Sequence, residues 1–450
     1  MEAEATGKEQ YQYQHQHQHQ HQHQETTLAT MGFAVTMLAA GFVAPCEHTP
    51  SATLTLSSVD HALGLRFSLE MISAYGHGVE AASLIRGALS RALVPYYPVA
   101  GRLVTSGEGE LEVACTGDGV WFVEAMAHCS LSDLKNLEFP LVIPKEELLP
   151  SPPPCINPEE MILMMQVTQF KCGGFAVGVK FSHMVFDGVG AGQFLKAVGE
   201  IAGGLSRPTI EPIWFRDAIP APPRLPRQPP TITFDCVPSL FDFPQLTINN
   251  IKEELMRETA CRCTTFEAVA AVLWQCRTRA INLPPHADVH LVFSSNVRPL
   301  LRQMLPPQRG YYGNCIFCLN VTSSSDKIKH APLTEIVSLI RDAKASLAAK
   351  FSEWAMGNVE EDPYKVPIGY GVLNLSDWRS VGFFEVDYGW GTPHCVAPLN
   401  DHLFFAGGIL LKRPLPEQGL RFRGEVVTEE HHESFVNELK WLAEGCPHKH

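Results

Sequence analysis

The apolar positions along the chain fall into two kinds of run. Short, nearly continuous runs read as buried strands: Met161 to Val167, Gly174 to Phe181, Val289 to Ser294, Cys315 to Val321 and His402 to Leu411. Other stretches carry helical spacing. Ala81 to Leu93 places Leu84, Ile85, Ala88, Leu89 and Ala92 on one face, and Phe266 to Arg279 reads as a second helix. Val189 to Val198 opens a third helix directly after the Gly174–Phe181 strand. Leu28 to Cys46 is mostly apolar, but Thr30, Gly32, Thr36 and Gly41 interrupt it and no basic stretch precedes it. Its longest apolar stretch, Met37 to Ala44, is far shorter than the roughly 20 residues of a spanning helix. It reads as a first core strand and its approach.

Strands and helices alternate on both sides of a proline-rich stretch over 208–238, which includes Pro220, Pro222, Pro223, Pro226, Pro229 and Pro230. Proline lacks an amide donor and fits poorly inside sheets or helices, so this stretch reads as an extended crossover. A chain of 450 residues exceeds one ordinary core. The reading is an α/β protein with two mixed-sheet domains of similar size, 31–207 and 239–450. Residues 1–30 stand outside both. The alternating Gln/His tract from Gln14 to Gln24 offers nothing to a core and reads as a disordered tail. Met31-Gly32 fits a myristoylation start only if translation begins at Met31, and nothing else points to a membrane.

Composition narrows the function. Hydrophobic content of 45% and charged content of 18% describe a globular chain. A formal net charge of -13 argues against nucleic acid and an anionic membrane face, yet allows a local basic pocket. Thirteen scattered cysteines fit a reducing compartment, so the cytoplasm is the default. Cys315-Ile-Phe-Cys318 lies in a strand-like run that sends i and i+3 to opposite faces, which suits buried thiols better than zinc.

The chemistry concentrates at His183-Met-Val-Phe-Asp187-Gly188, between the predicted histidine strand and the helix after it. An imidazole titrates near neutrality, so at a strand end it can take a proton from a hydroxyl and return it. With 19 histidines this spacing arises about once by accident, and a strand-end histidine with Asp187 as a helix cap explains it equally well. The rival motifs are weaker. Gly188-Val-Gly190-Ala-Gly192 has Gln193 where a dinucleotide loop needs its third glycine; its small residues suit close packing on the histidine strand. No GxSxG or GxxxxGK[ST] sequence occurs. His286-Ala-Asp-Val-His290 lacks the glutamate of a metalloprotease helix, and Glu429-Glu-His-His-Glu433 reads as a solvated helix start. No metal site is expected.

A second segment, Asp387-Tyr-Gly-Trp-Gly391, lies far downstream. Together with His183-x-x-x-Asp187 it resembles the plant BAHD acyltransferases, whose signatures are HxxxD and a later DFGWG; Tyr388 stands where the family usually has Phe. Leu56-Ser-Ser-Val-Asp60, Tyr97-Pro-Val-Ala-Gly-Arg102 and Tyr311-Tyr-Gly-Asn314 fit the same pattern, so the resemblance spans nearly everything from Met31 onward. It implies a fold like chloramphenicol acetyltransferase, with an active-site channel between the domains. It also implies acyl transfer from coenzyme A, with acyl-CoA as cosubstrate and no permanently bound cofactor.

In that scheme His183 is the general base of a direct transfer, and Asp187 turns away to pair with an arginine, which Arg298 of Asn296-Val-Arg298 resembles. Asp387, Gly389, Trp390 and Gly391 are structural. Thr264 and Thr265, before a predicted helix, lie where the family holds the CoA nucleotide, although Thr264 with Glu267 also reads as a plain capping box. Relatives that acylate carboxylated acceptors carry arginine shortly after GWG, whereas this chain has Thr392 in the acceptor pocket position, which implies an uncharged acceptor. The wording from Trp214 to Pro223 resembles the grass branch of p-coumaroyl-CoA:monolignol transferases. The expected protein is a monomer that moves a hydroxycinnamoyl group to a small alcohol. The alternatives are N-acylation of an amine such as a polyamine, and a non-catalytic relative that binds CoA esters.

Overall fold

The computed structural model describes residues 33–154, 156–222, 234–306, 309–359, 362–365, 367, 369–400 and 406–443. The Gln/His tail and the Met31-Gly32 start lie outside these residues. In the first half run β1 (Val35–Val43), β2 (Thr53–Thr55), β3 (Ser68–Tyr75), β4 (Arg102–Thr105), β5 (Leu111–Ala114), β6 (Val120–Ala127), β7 (Leu163–Phe170) and β8 (Phe175–Ser182). The later strands are β9 (Glu211–Ile213), β10 (Cys236–Pro244), β11 (Asp288–Asn296), β12 (Arg309–Tyr311), β13 (Ile316–Ser324), β14 (Val372–Asp377), β15 (Cys395–Pro398), β16 (Gly407–Lys412) and β17 (Gly419–Thr428). The helices are α1 (Ala81–Ala92), α2 (Gly188–Ala202), α3 (Gln245–Thr259), α4 (Thr265–Ile281), α5 (Ser325–His330), α6 (Leu333–Ala345), α7 (Leu347–Ala355) and α8 (Glu429–Ala443).

Two six-stranded mixed sheets carry the fold. The first runs β1-β6-β7-β8-β3-β15 and the second β10-β17-β16-β14-β11-β13. The continuous apolar runs predicted as strands fall mostly inside: β7 and β8 are buried along nearly their whole length, as strands covered on both faces must be. α1 and α2 pack together beside the first sheet. α4 is buried almost all round and lies in the second core, with Trp274 fully buried.

Several expectations shift. Leu84 points to solvent at 39% exposure, and α1 buries Ala81 and Ala82 beside Ile85, Ala88, Leu89 and Ala92. The first strand is not a core strand: β1 is the outer edge of its sheet, with Met37, Leu38 and Phe42 exposed and only Val43 buried. The last predicted strand starts later, at Gly407, and His402 lies outside the described residues. The crossover is not wholly extended, because a 3-10 turn spans Arg216–Ala218. It donates β9 to a parallel pair with β12, and β10 begins at Cys236. Pro238 is accommodated there because β10 is an edge strand with an irregular register between Val237 and Pro238.

The sequence boundary between halves is not the boundary between cores. β15 comes from the second half yet pairs antiparallel with β3, and Trp378, Phe383, Val386 and Tyr388 are buried in the first core. The glycines of α2 serve this arrangement rather than the histidine strand. A Cβ on Gly190 would overlap the Tyr312 carbonyl, one on Gly192 the Val381 carbonyl, and one on Gly199 the Asp387 carbonyl. Helix and backbone from the second half thus meet without side chains between them. Gly192→Ala is expected to lower stability by roughly 1–3 kcal/mol, the cost of overpacking, read as a lower denaturant midpoint.

Candidate active site

The histidine loop is built where β8 ends. His183 continues the strand by one bond, donating its N–H to the Phe67 carbonyl at 3.0 Å. Asp187 then caps α2, its Oδ1 accepting the Gly190 N–H at 2.8 Å. The Asp187 carboxylate is buried and receives both arms of Arg298, Nη1 to Oδ2 at 2.7 Å and Nη2 to Oδ1 at 2.8 Å. The Cys315 N–H adds a bond to Oδ2 at 3.0 Å. Burial alone would push this carboxyl up; the Arg298 guanidinium and the two backbone donors override it and hold it below the usual carboxylate range. None of these bonds to Asp187 comes from the imidazole.

His183 is partly exposed, and its Nδ1 is buried with no hydrogen-bond partner among the described residues. With Nδ1 buried, Nε2 is the ring nitrogen left for proton transfer. Phe67 lies beside it, with ring centroids 5.2 Å apart. Loss of water around the ring lowers the His183 pKa below the ordinary histidine value, outweighing the opposing pulls of its own backbone, Asp187, the Asn314 side chain and Asp60. The imidazole is neutral at neutral pH, the form a general base requires. The rate of any reaction that needs this base should be flat through neutrality. It should fall only as pH drops through a value below about 6.5, which a kcat/KM profile from pH 4.5 to 8 measures.

The downstream turn forms its own unit. Asp387 Oδ1 accepts the N–H groups of Gly389 at 2.7 Å and Gly391 at 2.9 Å, and both glycines have positive φ, 104° and 96°. Tyr388 is buried edge-on to Tyr75, and Trp390 packs edge-on against Phe175. These contacts fasten the turn to the start of β8, whereas His183 follows its end. Thr392 belongs to that far end of β3 too. His394 donates to the Ala74 carbonyl and Cys395 pairs with Ala74, while Ser68 pairs with Ser182 beside His183. Six steps of β3 separate the two ends, about 20 Å. Thr392 is also exposed.

Thr264 and Thr265 open α4. Thr264 Oγ1 accepts the Glu267 N–H at 3.2 Å, Glu267 Oε2 accepts the Thr264 N–H at 2.8 Å, and Lys344 holds Glu267 Oε1 at 2.6 Å. The capping box is complete. Next to it lies a cleft of about 320 Å³ lined by Asn249, Lys252, Glu253, Met256, Arg262 and Cys263. None of these residues belongs to the histidine loop. In the CxxC sequence burial pushes the thiols of Cys315 and Cys318 up to about 12 and about 11, so both stay protonated and unreactive.

Sequence reasoning assigned no role to Asp60, Arg216 or Asn314, which also reach this loop. Asn314 Nδ2 donates to the His183 carbonyl at 2.8 Å and to Asp60 Oδ1 at 2.7 Å. Arg216 Nη2 donates to the Val185 carbonyl at 2.7 Å. The signal available beforehand was an acid in an apolar run, Asp60, which needs a counter-cation wherever it is buried.

The sequence signature of the Transferase family matches residues 33–421. The chain belongs to that family, the BAHD acyltransferases. It is 43% identical over 432 residues to a myricetin 3-O-glucosyl 1,2-rhamnoside 6'-O-caffeoyltransferase of Crocosmia x crocosmiiflora, covering 91% of this chain and 99% of that one. It is 42% identical over 435 residues to acyl transferase 4 of Oryza sativa subsp. japonica, with 91% and 99% covered. The crystal structure of vinorine synthase has the same fold, with a TM-score of 0.70 at 20% identity over 90% of this acyltransferase and 98% of the other chain. The protein is thus an acyl-CoA-dependent acyltransferase of the two-sheet BAHD type. Among the described residues no helix is long and apolar enough to cross a membrane.

Proposed function

We propose that this acyltransferase moves a hydroxycinnamoyl group, such as p-coumaroyl, from coenzyme A to the hydroxyl of an uncharged alcohol such as a monolignol. The observation that carries the mechanism is His183 itself: a neutral, partly exposed imidazole whose Nδ1 is buried and whose neighbouring acid is engaged by Arg298. Nε2 takes the acceptor's hydroxyl proton as the oxygen attacks the thioester carbonyl. The tetrahedral oxyanion collapses, the C–S bond breaks, and the departing CoA thiolate receives the proton from the imidazolium. No residue of the chain is acylated.

The uncharged acceptor rests on Thr392, which stands where an arginine clamp would, and on the cations of the loop. Both guanidinium groups that touch the loop are committed to buried carboxylates, Arg298 to Asp187 and Arg216 to Asp60. Neither is free to clamp an acceptor carboxylate. The aromatic Phe67 beside His183 suits a hydroxycinnamoyl group, and the caffeoyl-transferring relative supports that donor class. The stretch from Trp214 to Pro223, similar to monolignol transferases, supports the acceptor. For the CoA nucleotide the reading uses the first turn of α4 at Thr264 and Thr265, beside Lys252 and Arg262 of the adjoining cleft, where positive charge meets a helix start.

The test is a donor-by-acceptor matrix with mass detection. p-Coumaroyl-CoA and coniferyl alcohol are expected to give the ester. Product with spermidine and none with any alcohol would overturn O-acylation, and no product in any combination would favour a binding protein.

A further inference from the structure

Asp187 and Arg298 hold the loop from the α2 side. A second buried ion pair also reaches it. Asp60 is fully buried and Arg216 is 2% exposed, with Nε and Oδ2 2.8 Å apart. The guanidinium is enclosed: its carbon lies 3.9 Å from the Trp214 ring centre, 5.1 Å from that of Tyr311 and 5.4 Å from that of Tyr312. Gly313 leaves it room, because a Cβ there would overlap Nη1.

We infer that Asp60 and Arg216 are positioning residues for His183, acting through two backbone carbonyls of its loop. Arg216 fixes the Val185 carbonyl directly. Asp60 fixes the His183 carbonyl through Asn314, whose N–H also donates to Oδ1 at 3.2 Å. The inference rests on the acyl-transfer reading for its kinetics, but its geometry stands apart from it. Phe215 shows how firmly the pair is set. Flanked by Trp214 and Arg216, it is held at φ 34° and 47% exposed, a conformation that costs of order 1–3 kcal/mol and persists only where its surroundings impose it. A network that merely filled the core would not need to end on the carbonyl of the proposed base.

Arg216→Lys keeps the charge but loses the forked geometry, and Gly313→Ala displaces the guanidinium while keeping both charges. Each is expected to lower kcat about 10²-fold, the effect of a misplaced catalytic group, with KM for acyl-CoA within about twofold. The imidazole signals of His183, assigned by their loss in His183→Gln, should move in both variants. That readout does not depend on turnover: shifted signals in a protein that transfers no acyl group would sink the functional reading and leave the positioning intact. Folded variants with unshifted signals and kcat within about twofold of the parent would overturn it. So would activity lost only in proportion to the unfolded fraction. If Arg216→Lys does not fold, Gly313→Ala decides.

Discussion

Replacing His183 by alanine should lower kcat for ester formation by roughly 10³-fold while the thermal melt and circular dichroism stay those of the parent. The magnitude is the middle of the range for a general base. The imidazole contributes little to the fold. Its Nδ1 makes no hydrogen bond among the described residues, and its backbone bonds to Phe67 and Asn314 survive truncation. A His183→Ala enzyme that keeps full activity would refute the mechanism, whatever its substrate.

Asp187→Ala should behave in the opposite way. It leaves the Arg298 guanidinium without its counter-ion and strips partners from the N–H groups of Gly190 and Cys315. Breaking a buried pair by removing one member costs roughly 3–5 kcal/mol. The expected result is a lower denaturant midpoint and poor soluble yield, with the remaining folded molecules more active than His183→Ala. Intact stability with a His183-like loss of kcat would instead make Asp187 a direct partner of the base. The sign with pH follows from the depressed carboxyl. The pair contributes fully above the unfolded carboxylate value, about 3.9, and its contribution disappears as pH falls through the lower folded value.

What could be read from sequence was local. β8, the loop and α2 follow one another within thirty residues, and apolar run, histidine, acid and glycine each announce themselves. Arg298 was found only through family resemblance, since nothing in its own surroundings singles it out. Asp60, Arg216 and Asn314 meet across more than 150 residues of chain, and no periodicity reports such a meeting. Nor does sequence show how far Thr392 lies from His183; the register of β3 puts the two at opposite ends of that strand. β1 was misjudged because nine uncharged residues look the same to a pattern whether they end at an edge or a centre.

The late arrival of β15 has a consequence for how the protein is made. Until residues 395–398 leave the ribosome, β3 is the open edge of the first sheet, directly beside the histidine strand. The first sheet therefore lacks its sixth strand while the first half emerges, although domains made first usually fold as units. A truncated first half would therefore present an unpaired, buried-type strand next to the histidine strand, an edge of the kind that invites pairing with another chain.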